Sequence, residues 1–159
     1  MIAASTHKIE VSLKSEYGNA ESLSAAAVLK SANAPSVTKV RKSRLYEIRG
    51  NFTVTHINRL SRDLLCDPIT EDFRILSQPP STQGPFWKVE VRLKPTVLDP
   101  EADTVKNAMV EMGFPAPDFI RIAAVYKIES KCGKPQIEAA AIRSLLNPVI
   151  NLYSITACS

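Results

Sequence analysis

Two histidines, three cysteines and one adjacent pair of acids are the side chains best suited to act as bases, nucleophiles or metal ligands, and their spacing assembles none of those sites. His7 and His56 share no motif and read as loop or cap residues. Cys66, Cys132 and Cys158 are odd in number and fall in no paired-ligand spacing, so they read as reduced thiols rather than a disulfide framework or a metal site. No Ser-His-Asp or Cys-His order marks a nucleophile. Gly18, Gly50, Gly84, Gly113 and Gly133 are scattered, with no glycine-rich run to cradle phosphate. Glu71-Asp72 is the one adjacent acidic pair. The inventory argues against catalysis by this chain: no catalytic or metal-binding residue, and no cofactor of its own, is expected.

The charges say more about binding. Net charge is +4, and much of the excess lies in Lys39, Arg41, Lys42, Arg44 and Arg49, set against Glu47 alone. Such a run suits an anionic partner or an acidic protein surface. It equally suits a strand edge guarded from aggregation by charge. The composition, 45% hydrophobic and 23% charged over 159 residues, is that of a globular chain with one domain or two small ones. No apolar run approaches the ~20 residues of a membrane-spanning helix. The opening Met1-Ile2-Ala3-Ala4-Ser5-Thr6 has neither the charged nor the apolar region of a secretory signal, so a cytoplasmic location is expected.

Positioning these residues requires elements, and the elements repeat. Lys8-Ile9-Glu10-Val11-Ser12-Leu13-Lys14 returns as Lys88-Val89-Glu90-Val91-Arg92-Leu93-Lys94. Carrying residues 8–75 onto 88–155 without gaps gives fourteen identities, among them Pro35/Pro115, Arg41/Arg121, Tyr46/Tyr126, Ile57/Ile137 and Pro68/Pro148. Punctuation recurs as well. Asp99, Pro100 and Glu101 read as helix N-cap, first-position proline and first-turn acid. Val105, Ala108, Met109 and Met112 follow at the spacing of one buried face, and Gly113 supplies the left-handed stop before Pro115. In the first copy Asn19 takes the cap, Ala25, Val28, Leu29 and Ala32 the stripe, and Asn33 the stop.

Around each first helix the rest of a unit can be laid out. Ile9, Val11 and Leu13, like Val89, Val91 and Leu93, alternate as half-buried strands do. A middle strand places Ile120, Ile122, Ala124, Tyr126 and Ile128 on one face. A second helix carries Ile57, Leu60 and Leu64, or Ile137, Ala141 and Leu145, and ends before Asp67-Pro68 or Asn147-Pro148, where proline forces extended chain. The expected fold is α+β: two homologous β-α-β-α-β modules, each with two helices on a small, mainly antiparallel sheet. Module 1 spans residues 1–76, a Pro/Ser-rich linker 77–87, and module 2 residues 88–159. Modules of this size build marginal cores, so the two should pair as a pseudo-twofold dimer within one chain. One break in the pattern stands out. On the face where the second copy has Ile122 and Ala124, the first has Lys42 and Arg44, which must meet carboxylates or solvent.

These residues resemble the PurS family, the small subunit of phosphoribosylformylglycinamidine (FGAM) synthase. The resemblance rests on Lys94-Pro95-Thr96-Val97-Leu98-Asp99-Pro100, the helix ending Met112-Gly113-Phe114, and Asn147-Pro148-Val149-Ile150. In the first copy, Val40-Arg41-Lys42-Ser43-Arg44 and Leu64-Leu65-Cys66-Asp67-Pro68-Ile69-Thr70-Glu71-Asp72-Phe73 are similar to other stretches of the family pattern. The first copy departs from it at Lys14-Ser15-Glu16-Tyr17-Gly18-Asn19-Ala20, the second at Ala123-Ala124. The resemblance implies a non-catalytic subunit of purine biosynthesis that bridges a glutaminase (PurQ-like) and an ATP-dependent synthetase (PurL-like). ATP, Mg and glutamine would be used by the complex. Arg41, Lys42, Arg44, Tyr46, Arg121 and Tyr126 are the expected partner-facing residues. Asn19, Asn33, Pro68, Asp99, Pro100, Gly113, Asn147 and Pro148 are expected to be structural.

Two other classes fit a repeated α/β unit. An RNA-binding module would use the basic strand, but aromatic residues are 6% of the chain and Tyr46 and Tyr126 are the clear stacking pair. A tandem ferredoxin-like regulatory domain would hold a small ligand between the copies.

Overall fold

Alternating apolar and polar residues build one six-stranded antiparallel sheet. The computed structural model describes residues 4–14, 16, 17, 19–31, 37–76 and 86–158. The strands are β1 (Ser5–Leu13), β2 (Val37–Gly50), β3 (Glu71–Leu76), β4 (Phe86–Leu93), β5 (Phe119–Ser130) and β6 (Asn151–Cys158). The helices are α1 (Asn19–Ser31), α2 (Val54–Leu60), α3 (Pro100–Glu111) and α4 (Lys134–Ser144), and a π-helical turn, Ser61–Leu65, extends α2. In space the strands run β3-β1-β2-β5-β4-β6. With each strand exchanged for its counterpart in the other half, this order reads the same from either end.

The register repeats with the sequence. Val11 lies opposite Arg44, and eighty residues on Val91 lies opposite Ala124. Ile9 lies opposite Ile75, and Val89 opposite Ile155. At the centre β2 meets β5, and there Arg44 faces Ala124, the residue eighty positions after it. The helices cover one face of the sheet and form two cores. α1 and α4 share one, with Ala26 and Leu29 beside Ile137, Ala140 and Ala141 over Val40, Val89 and Ile128. α2, its π-helical turn and α3 share the other, with Ile57, Leu60 and Leu65 beside Met109 over Ile9, Tyr46 and Ile48. Each core therefore draws on both halves of the sequence. Burying one such aliphatic side chain contributes about 1.5–3 kcal/mol, and neither half encloses its own set.

On the opposite face no helix of either core lies. Leu45, Ala123 and Val125 form a small buried cluster there with Leu76 against it. Charged side chains surround it: Glu10 pairs with Arg74 at 3.1 Å and with Lys127 at 3.5 Å.

The helix ends follow the sequence closely in the second half. Asp99 caps α3, its carboxylate accepting the Ala102 N–H at 3.1 Å, and Pro100 takes the first turn. Gly113 has φ +86, the left-handed value that favours glycine. In the first half α1 begins at Asn19; the Asn19 side chain, Ala32 and Asn33 lie outside the described residues. Val28, expected in the α1 stripe, is exposed, and Ala26 takes the buried position. Three successive alanines give the pattern no preference between faces, and Leu29 alone sets it. Leu64, expected in the core, is half-buried and Leu65 replaces it. The π-helical turn adds a residue to that turn and rotates the following side chain inward. Phe86 and Trp87, assigned to the linker by composition, belong to β4; residues 77–85 lie outside the described residues.

Candidate functional site

The middle of the sheet is where the two halves differ in charge. Arg44 sits on the helix-bearing face at the β2–β5 junction, in the gap between the two cores. Its guanidinium meets Glu71 of β3, with Nη2 2.9 Å from Oε2 and 3.1 Å from Oε1. It also donates to the Tyr46 hydroxyl at 3.1 Å and to the Leu65 carbonyl at 3.4 Å. Burial works against the charged form, but the bonds to Glu71 and Tyr46 and their charges outweigh it and hold the Arg44 pKa above its usual value. Burial likewise pushes the Tyr46 phenol up, against the opposing pull of Arg44. Of the two outcomes expected for this cation, a carboxylate or solvent, Arg44 meets the carboxylate.

Glu71 has a second task, and its counterpart shares it. Glu71 Oε1 accepts the Asp67 N–H at 3.0 Å, closing the turn into β3. Asn151 Oδ1 accepts the Asn147 N–H at 2.8 Å in the same place before β6. Where the facing residue is Arg44, the turn is closed by a carboxylate; where it is Ala124, by a neutral amide. The turns themselves match. Asp67 accepts the Ile69 N–H at 2.9 Å and Asn147 the Val149 N–H at 3.0 Å. Pro68 and Pro148 each follow the accepting residue. Lys14 N–H reaches Thr70 O, and Lys94 N–H reaches Ile150 O, both at 2.8 Å, tying these turns to the loops after β1 and β4.

The six expected partner-facing residues divide between the two faces. Lys42, Arg44, Tyr46 and Tyr126 share the helix-bearing face, with Lys42 opposite Tyr126 in register and its ammonium 5.8 Å from that ring's centre. Arg41 and Arg121 are exposed on the open face. There Arg121 stacks 4.5 Å over the Phe119 ring, and Arg41 lies opposite Lys127. A hollow of about 90 Å³ beside Arg44 is lined by Leu13, Lys42 and Glu71 among others. That is well below the ~300–1,000 Å³ of small-molecule pockets. Among the described residues no group of three or more His, Cys, Asp or Glu is placed to hold a metal.

Sequence reasoning missed one constellation. His7, Phe52, His56 and Phe114 form a ladder of edge-on rings with centres 6.2, 6.4 and 6.2 Å apart. It runs from β1 across the start of α2 to the chain after α3, so it joins the two halves. His56 sits at the third position of α2, where its Nδ1 accepts the Thr53 N–H at 3.2 Å while Thr53 Oγ1 accepts the His56 N–H at 3.1 Å. A threonine three residues before a histidine, rather than before Glu or Gln, is a weak signal for this box. Burial lowers the pKa of His7. Cys66 is a small core residue whose thiol burial pushes up.

Among the described residues no helix is long and apolar enough to cross a membrane. No curated protein matches the chain. Its second half, residues 87–158, matches the family model described as PurS: phosphoribosylformylglycinamidine (FGAM) synthase, which supports a role in the FGAM synthase of purine biosynthesis.

Proposed function

We propose that this chain is a tandem form of a PurS-like pair, folded as a pseudo-twofold dimer within one polypeptide. In this reading it serves as a non-catalytic assembly subunit of FGAM synthase, holding a glutaminase subunit beside an ATP-dependent synthetase subunit. The match of residues 87–158 to the PurS model carries the functional part. The tandem part is supported by a strand register that repeats at the spacing of the sequence repeat, through all three strands of each half. It is supported too by cores that each take helices from both halves. Joining the halves makes their pairing independent of concentration.

Arg41 and Arg121 are the docking cations of this reading, because they are equivalent in the repeat and both exposed on the open face. Two like-charged sites related by the sheet's own symmetry suit a bridge with an acidic surface on each partner. Lys42 lines the gap between the cores and offers a second contact point, while Tyr46 and Tyr126 are buried beneath it and support it from the cores. Arg44, held by Glu71, acts there by positioning. ATP, Mg and glutamine belong to the partner subunits.

Light scattering after size exclusion tests this reading, with the chain run alone and then with a glutaminase and a synthetase from the same organism, plus glutamine and ADP–Mg²⁺. Co-elution of all three, lost on Arg41→Glu with Arg121→Glu, is the expected result. No association under any ligand condition would remove the assembly role.

A further inference from the structure

The two outer strands hold equivalent places and carry opposite chemistry. Among the described residues β3 and β6 end the sheet, each hydrogen-bonded on one side, to β1 and to β4. An outer strand leaves a row of N–H and C=O groups without strand partners, a template for another chain, and charge on that strand is the common guard against pairing. β3, reading Glu71-Asp72-Phe73-Arg74-Ile75-Leu76, has three charged residues in six. β6, reading Asn151-Leu152-Tyr153-Ser154-Ile155-Thr156-Ala157-Cys158, has none in eight and no proline. Its β-branched and aromatic residues favour the extended state. Leu152 is 39% exposed, and the turn leading into the strand exposes Val149 (75%) and Ile150 (39%).

We propose that β6 is a self-association edge, at which a second copy of this chain pairs its own β6 antiparallel across a twofold axis. The neutral strand explains the choice of occupant, because a copy of itself meets it without burying or opposing any charge on the paired strands. Pairing centred on Ser154 sets Tyr153 of each copy opposite Ile155 of the other, an aromatic against a β-branched side chain at two symmetric places. Leu152 then faces Thr156 on the open face, and the helices of both copies stay on one side of a continuous sheet. A register moved by one residue would place those helices on opposite sides. The interface is isologous, so it closes at two copies. It stands apart from the assembly role proposed above, since no FGAM synthase partner enters it.

The test is light scattering of the purified full chain from dilute to concentrated solution. The expected mass is twice the 17.5 kDa of one chain, falling to that of one chain for Ser154→Lys with Thr156→Lys. Both residues are exposed, so the melting temperature should hold, and Asp72→Lys on the opposite edge should leave the dimer intact. Hydrogen exchange on the unaltered chain gives a second measure: outward-facing β6 amides should slow as concentration rises. A single-chain mass at every concentration, a dimer indifferent to the paired lysines, or β6 exchange unaffected by concentration would overturn the proposal.

Discussion

Arg44 and Ala124 occupy the same place in the two halves and face each other across the centre of the sheet, yet one is a cation and the other a methyl group. The difference does not stop there. Glu71 and Asn151 close the same turn with the same hydrogen bond, and the charge sits in the half that has the arginine. Two residues separated in sequence by a whole helix differ between the halves as a matched pair. The lesson is that two halves can keep one strand order and register while differing at a partly buried interaction, provided both partners of that interaction differ together. A cation placed at Ala124 would meet a neutral amide at position 151, where Arg44 meets the Glu71 carboxylate.

The largest expected effect tests whether the halves share their cores. Met109, from the second half, is fully buried against α2 and the first-half strands. Met109→Ala should cost about 2–5 kcal/mol, and the whole chain should still melt in one transition by circular dichroism. Two separated transitions, with one unmoved, would contradict a shared core. A smaller effect tests the matched pair. Glu71→Asn leaves the Arg44 guanidinium without its carboxylate; because that side chain is 39% exposed, water recovers part of the loss, and about 1–2 kcal/mol is expected. Adding Arg44→Ala, which rebuilds the second half's arrangement in the first, should restore most of it in urea denaturation. Losses that simply add would show the two positions to be uncoupled.

Asp99→Ala removes the α3 cap and should cost about 1 kcal/mol. An unchanged thermal melt would place the helix start elsewhere. Smallest is the pH effect at His7. Burial lowers its pKa in the folded chain, so folding favours the neutral ring. The stability this contributes is present in full above the unfolded value of about 6.5 and is lost as pH falls through the lowered folded value. His7→Gln should flatten the acid side of a melting-temperature profile, and a profile of unchanged slope would exclude His7 as its source.

The sequence disclosed the elements wherever local chemistry was strong. Asp99, Pro100 and Gly113 fixed the ends of α3 because a cap, a preset φ and a left-handed residue each act within one turn. Alternation at Ile9, Val11 and Leu13 fixed a strand and its buried face. What escaped was set at a distance. The three alanines of α1 carry no preference between faces, so Val28 was misplaced. The π-helical turn that brings Leu65 inward has no residue signature, only Ser61 Oγ donating back to the Ile57 carbonyl at 2.7 Å. That α1 packs beside α4, and α3 beside α2, follows from the register of β2 on β5, which no local pattern encodes. At the candidate site it was legible that Arg44 must find a carboxylate or solvent; that it finds Glu71, twenty-seven residues away, required the fold.

The most direct test of the account is a single backbone cut within residues 77–85 of the folded chain, followed by size exclusion under native conditions. Two halves that share a sheet and exchange helices should co-elute where the intact chain does, separating into two bands only on a denaturing gel. Halves that leave the column as two independent species would contradict it.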